Sequence, residues 1–173
     1  MRNTALIIVD VQNDFCPGGA LAVNEGDQVI PPLNRAAETI AHQGGLVLAS
    51  RDWHPRETKH FAEFGGNWLV HCVPNTHGAE FHPNLKLPEG TVIISKGVGA
   101  EDDGYSAFEG RTADGKTLDE ALKAHGVQWR DDGEQAYQVS YTPLCSEWMA
   151  EQRTRCAQSC LSLGFTPTRR AHA

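Results

Sequence analysis

The sequence predicts an α/β fold of three layers, doubly wound about a central parallel sheet. Three observations lead there. Short continuous apolar runs alternate with stretches of helical periodicity, as expected of strands covered on both faces and joined by crossover helices. Each apolar run ends at or just before a charged residue: Asp10, Asp52 or Lys96. Glycine and proline mark the joints between the runs.

The first run, Ala5 to Val9, reads as a buried strand leading into Asp10, and a turn-rich loop with Pro17, Gly18 and Gly19 follows. Pro31 and Pro32 stand near the start of a helical pattern in which Ile30, Leu33, Ala37 and Ile40 share one face. Gly44 and Gly45 stop it. Leu46 to Ser50 is a second strand, ending just before Asp52, and Thr91 to Ser95 is a third, ending at Lys96. A short helix from about Thr117 to Ala124 closes at His125 and Gly126. In parallel sheets of this kind ligands bind beyond the carboxyl ends of the strands. Three polar groups from three strands are thereby expected on one rim.

The 173 residues read as one domain. A net charge of -7 without a basic stripe argues against nucleic acid or an anionic membrane as partner. No apolar run approaches the roughly 18 residues that a membrane-spanning helix needs. The amino-terminal stretch lacks the length and cleavage site of a signal peptide. The 5 cysteines form an odd set without a Cys-x-x-Cys pair, so they read as reduced thiols of a cytoplasmic protein.

Asp52, Trp53 and His54 end the second strand, and His60 and His71 follow. Side chains two apart on an extended backbone point the same way, so Asp52 and His54 are paired candidate ligands. Carboxylate and imidazole suit Zn, Fe or Mn. Chance clustering among 8 histidines remains open on spacing alone, and the shared rim favours a metal. Asp10 and Lys96 suit a base with its orienting cation, or a structural ion pair.

The combination is specific. Val9 to Phe15 with Pro17, Gly18 and Gly19, then Ser50 to Pro55, resembles the nicotinamidases of the isochorismatase-like cysteine hydrolase superfamily. So do Trp68 with His71, Cys72 and Val73; Gly78 to His82; Lys96 with Gly97; and Asp103 to Phe108. The resemblance covers about residues 4–127. It implies hydrolysis of nicotinamide, and of pyrazinamide, to the acid and ammonia, and a place in pyridine nucleotide salvage. It further implies Asp10 as the base that deprotonates a cysteine, with Lys96 stabilising the charges. Asp52, His54 and His71 would hold one divalent metal ion, zinc first among the candidates, and His60 matches a histidine that ligates in some members. Phe15 and Trp68 match the aromatic walls around the pyridine ring. The small-molecule substrate is then nicotinamide.

After Val127 the chain departs from that pattern. The Gly-x-Ala-Thr-x-x-Cys turn that carries the family's nucleophile is absent, and Gln128 to Gln135 is poor material for a buried strand. Tyr137, Val139 and Tyr141 alternate as a short strand would. Thr142 to Cys145 keeps a Thr-x-x-Cys spacing ahead of a helical pattern in which Met149, Cys156, Cys160 and Leu163 share a face. Cys145 is therefore the expected nucleophile, and an altered or truncated carboxyl-terminal strand and helix are expected. Such a break is what a reading-frame shift would produce. A lost terminal strand would expose a sheet edge and invite homo-oligomers. Two other functions stay open: a metal-binding relative without turnover, and a hydrolase of this superfamily acting on another substrate.

Overall fold

The computed structural model describes residues 4–127 and the backbone of residues 136–140. Four parallel strands form its sheet: β1 (Ala5–Val9), β2 (Leu46–Asp52), β3 (Val92–Lys96) and β4 (Ala136–Ser140). Their spatial order is β3-β2-β1-β4. The α/β expectation holds, and β1, β2 and β3 fall on the three apolar runs. β2 extends two residues beyond the expected Ser50, because its last residues, Arg51 and Asp52, pair with Ser95 and Lys96 of β3.

Helix α1 (Ile30–His42) carries its two prolines in the first turn, where the N–H groups they lack would have no helical partner. It ends in a Schellman turn: Gly44 N–H reaches the Ala41 carbonyl at 3.0 Å and Gly45 N–H reaches Ile40 at 2.9 Å. Gly44 has φ +73, a left-handed value that glycine adopts without strain. Helix α2 (Leu118–Ala124) opens on a capping box between Thr117 and Glu120. It closes the same way as α1, with Val127 N–H on the Leu122 carbonyl at 3.0 Å.

The two helices lie on opposite faces of the sheet, and the alternation along β1 decides which residue meets which. Leu6 and Ile8 pack with Ile30, Leu33, Ala37 and Ile40 of α1. Ala5, Ile7 and Val9 pack with Leu118, Ala121 and Leu122 of α2. Each buried aliphatic side chain of this kind is worth about 1.5–3 kcal/mol of transfer free energy. β1 is buried along its whole length and fixes the floor from which the rim residues rise. No helix among the described residues is long and apolar enough to cross a membrane.

β4 answers one expectation. The alternation at Tyr137 and Val139 does mark a strand, and it pairs in parallel with β1 from Ala5↔Ala136 to Val9↔Ser140. The sheet edge beside β1 is therefore filled among the described residues, and the altered or truncated terminal strand and helix expected beyond it lie outside them. Cys145 and the helical pattern from Met149 to Leu163 lie outside the described residues.

Candidate active site

The rim at the carboxyl ends of the strands is assembled by sheet register. Val9 lies opposite Ser50, and Asp52 opposite Lys96. Asp10, one residue past β1, turns into the rim with φ +54, a left-handed conformation that Asp tolerates better than most residues. Lys96 Nζ sits 2.9 Å from Asp10 Oδ2 and donates to Asp52 Oδ1. Ser50 Oγ donates to Asp10 Oδ1 at 2.7 Å. Asp10, Asp52 and Lys96 are 2%, 5% and 3% exposed, so water screens none of these charges.

Burial fixes their electrostatics. It opposes charge on Lys96, but the two carboxylates more than offset that and hold the ammonium protonated. Burial also opposes charge on Asp52, and Lys96, followed by His54 and His71, outweighs it and keeps the carboxyl well below its ordinary range. Asp10 goes the other way. Burial raises its carboxyl above the usual value, Lys96 opposes the rise and Asp52 adds to it. Two carboxylates thus share one ammonium, and the less favoured of them is the better proton acceptor near neutral pH.

The histidines form a second cluster against the first. His54 N–H bonds the Cys72 carbonyl at 3.1 Å, which draws the loop carrying His71 alongside the end of β2. Asp52 Oδ2, the oxygen that Lys96 leaves free, stands 3.7 Å from both His54 Nε2 and His71 Nε2. His60 stacks on His54 with ring centroids 4.3 Å apart. One nitrogen from each of His54, His60 and His71 lies within 4.8 Å of the others. Gly97 closes the far side with φ +64, and a Cβ there would overlap the His54 ring.

These residues fit a divalent metal. His54 Nδ1, His54 Nε2 and His71 Nε2 are buried without hydrogen-bond partners among the described residues, and each such orphan costs about 1–3 kcal/mol. His71 Nδ1 meets the Leu69 carbonyl at 2.7 Å. A carbonyl only accepts, so Nδ1 carries the proton and the Nε2 lone pair faces the cluster. Ligand atoms at about 2.0–2.2 Å from a common ion lie about 3–3.5 Å apart, a little closer than the 3.7 Å between Asp52 Oδ2 and each Nε2 here. One carboxylate with imidazoles is a donor set for Zn, Fe or Mn.

The aromatics named from the sequence flank this cluster. Phe15 is buried, its ring 5.6 Å from that of His71. Trp68 stacks 6.2 Å from His60 and donates from Nε1 to the Tyr105 hydroxyl at 3.2 Å. Cys16 and Cys72 are buried free thiols. Burial pushes both thiols up, with Asp27 adding to it at Cys16 and Asp52 at Cys72. Neither suits a nucleophile.

Three supporting residues escaped the sequence reading. Gln12, fully buried, accepts from Asp52 N–H at 2.7 Å and donates to the carbonyls of Asp52 and Ala79, each at 2.9 Å. It clamps the backbone of Asp52 to the 79–82 segment. Only its place three residues past the end of β1 hinted at this. Ser50 closes the second run and Asp103 opens the motif that ends at Phe108, but neither place told of its contact. Gln12→Ala is expected to cost about 3 kcal/mol or more, since it leaves buried backbone groups unpaired. Urea denaturation of both proteins measures it, and a loss under about 1 kcal/mol would remove the clamp from the account.

Residues 4–129 match the isochorismatase domain family. The chain belongs to the isochorismatase family. This member is 38% identical over 143 residues to the nicotinamidase of Escherichia coli, covering 73% of this chain and 67% of that one. It is 39% identical over 126 residues to the nicotinamidase/pyrazinamidase of Mycobacterium tuberculosis, covering 71% and 66%. The chain spans about two thirds of the length of these curated relatives. Among solved structures, the pyrazinamidase of Pyrococcus horikoshii in complex with zinc superposes with a TM-score of 0.71 at 39% identity, over 94% of this chain and 80% of that one.

Proposed function

We propose that this family member is a metal-dependent amide hydrolase converting nicotinamide to nicotinate and ammonia, and pyrazinamide likewise, through a thioester on Cys145. The observation that carries the reading is the buried Asp10–Lys96–Asp52 chain running directly into three imidazoles. The nicotinamidase relatives support the substrate class. Support for Cys145 comes from the direction of β4. Ser140 lies opposite Val9, so the chain leaves β4 on the rim that holds Asp10, and Cys145 follows within at most about 17 Å of extended chain.

In this mechanism Asp10 takes the thiol proton of Cys145, and the thiolate attacks the carboxamide carbon to give a tetrahedral oxyanion. As that collapses, the C–N bond breaks and Asp10 returns its proton to the departing ammonia. A water then gives a proton to Asp10 and attacks the thioester, and the C–S bond breaks to release nicotinate and the thiol. Lys96 stays charged throughout, holding the Asp10 carboxylate in place and offsetting the negative charge that builds up beside it. Phe15 and Trp68 offer flat apolar faces to the flat ring. Asp52, His54 and His71, joined by His60, would hold the metal, zinc first, which supplies a Lewis-acid contact for the pyridine nitrogen. Release of nicotinate fits a role in cytoplasmic pyridine nucleotide salvage.

Ammonia release from nicotinamide by the full, metal-loaded chain, compared with Cys145→Ala, tests this. Loss of at least about 1,000-fold in the variant is expected for a covalent nucleophile. Full activity in Cys145→Ala would exclude that residue.

A further inference from the structure

His60 differs from the other two imidazoles of the cluster in what holds it. Its Nδ1 stands 3.3 Å from Asp103 Oδ1, across 43 residues of sequence. The ring is buried, whereas the Asp103 side chain is 49% exposed. Asp103 is not free to drift. Both the Lys59 N–H, at 3.0 Å, and the Thr58 hydroxyl, at 2.9 Å, donate to the Ala100 carbonyl. Asp102 closes the intervening turn on Gly99, its N–H reaching the Gly99 carbonyl at 3.1 Å and its Oδ2 accepting the Gly99 N–H at 3.0 Å. Lys59 Nζ and Glu101 Oε2 add an ion pair at 3.4 Å. The 58–60 and 100–103 segments are thus stitched together just ahead of the His60–Asp103 contact.

We infer that Asp103 is a positioning residue that locks His60 in its Nδ1–H tautomer and so makes His60 a working ligand of the metal site. A carboxylate can only accept from a neutral imidazole, so the proton must sit on Nδ1 and the lone pair on Nε2. Nε2 makes no hydrogen bond among the described residues and belongs to the ring whose neighbours are His54 and His71. The carbonyl of Leu69 does for His71 what Asp103 does for His60. The difference is that Asp103 brings a full negative charge, which makes the imidazole a stronger donor, and it does so from a partly open surface loop. Metal-bound histidines commonly lose 10–100-fold in metal affinity when such an outer partner is removed. The inference rests on the metal reading of this same site.

Two measurements on the full chain test it. In the metal-free protein, imidazole ¹⁵N shifts report the tautomer directly. Parent His60 should be the Nδ1–H form, and Asp103→Ala should move it towards the Nε2–H form that predominates in free imidazole side chains. Zinc titration against a competing chelator should then show roughly 10–100-fold weaker binding for Asp103→Ala. Asp103→Asn, whose amide oxygen still accepts from Nδ1–H, should recover part of that loss. In a His60→Ala background Asp103→Ala should add nothing. A parent that binds no zinc overturns the metal reading and this inference with it. Parent-like zinc affinity in Asp103→Ala, or an unchanged His60 tautomer, overturns this inference alone.

Discussion

Lys96→Met should destabilise the metal-free protein by about 3–5 kcal/mol, the cost of leaving buried charge without its partner. Methionine matches the length of the lysine stem, so packing is largely kept and the charge is what goes. Asp10 and Asp52 are then left facing each other in a site where neither is more than 5% exposed. Ser50 still donates to Asp10 and Gln12 still clamps the backbone of Asp52, but neither supplies a positive charge. Adding Asp10→Asn should recover part of the loss, because one of the two like charges disappears. Denaturant unfolding in the presence of a chelator measures all three proteins. Simple additivity of the two substitutions would contradict the shared-ammonium arrangement, since groups in direct contact ought to couple.

Asp10→Asn alone is expected to leave a folded protein that has lost about 100- to 10,000-fold in amide hydrolysis, the range for removing a positioned general base. Asparagine accepts the left-handed backbone at this position as readily as aspartate, and its amide oxygen can still receive the Ser50 hydroxyl. Lys96 keeps Asp52 as a partner, so no uncompensated buried ammonium is created. Metal content should match the parent, because Asp10 is held by Lys96 and Ser50 whereas the carboxylate that meets the imidazoles is that of Asp52. A loss of metal along with activity would mean that Asp10 acts through the ligand cluster rather than on the reacting thiol. Steady-state ammonia release and metal analysis on the same preparation separate these outcomes.

Much of this was legible in the sequence because the sheet obeys local rules. β1, β2 and β3 are apolar runs, and a parallel sheet places the residues that end them on one rim. Asp10, Asp52 and Lys96 therefore group together on the sequence alone, and His54 follows from the period of an extended chain. What could not be read depends on pairings between distant segments. Gln12 holds Asp52 across 40 residues and Ala79 across 67, and His60 meets Asp103 across 43. A glutamine in a loop and an aspartate in an acidic turn carry no local mark of such contacts. The left-handed backbone at Asp10 and Cys72 is likewise imposed by tertiary structure, since neither residue type demands it. β4 was half legible: Tyr137 and Val139 alternate, but Asp131, Asp132 and Gly133 ahead of them obscure the strand's start.

The most direct test of the site is zinc bound per chain after equilibration with trace metal, for the parent and for Asp52→Ala, His54→Ala and His71→Ala. The geometry predicts a single tightly held ion in the parent and its loss in each variant, with secondary structure retained by circular dichroism. Unchanged zinc content in the variants would contradict the site built from Asp52 and the clustered imidazoles.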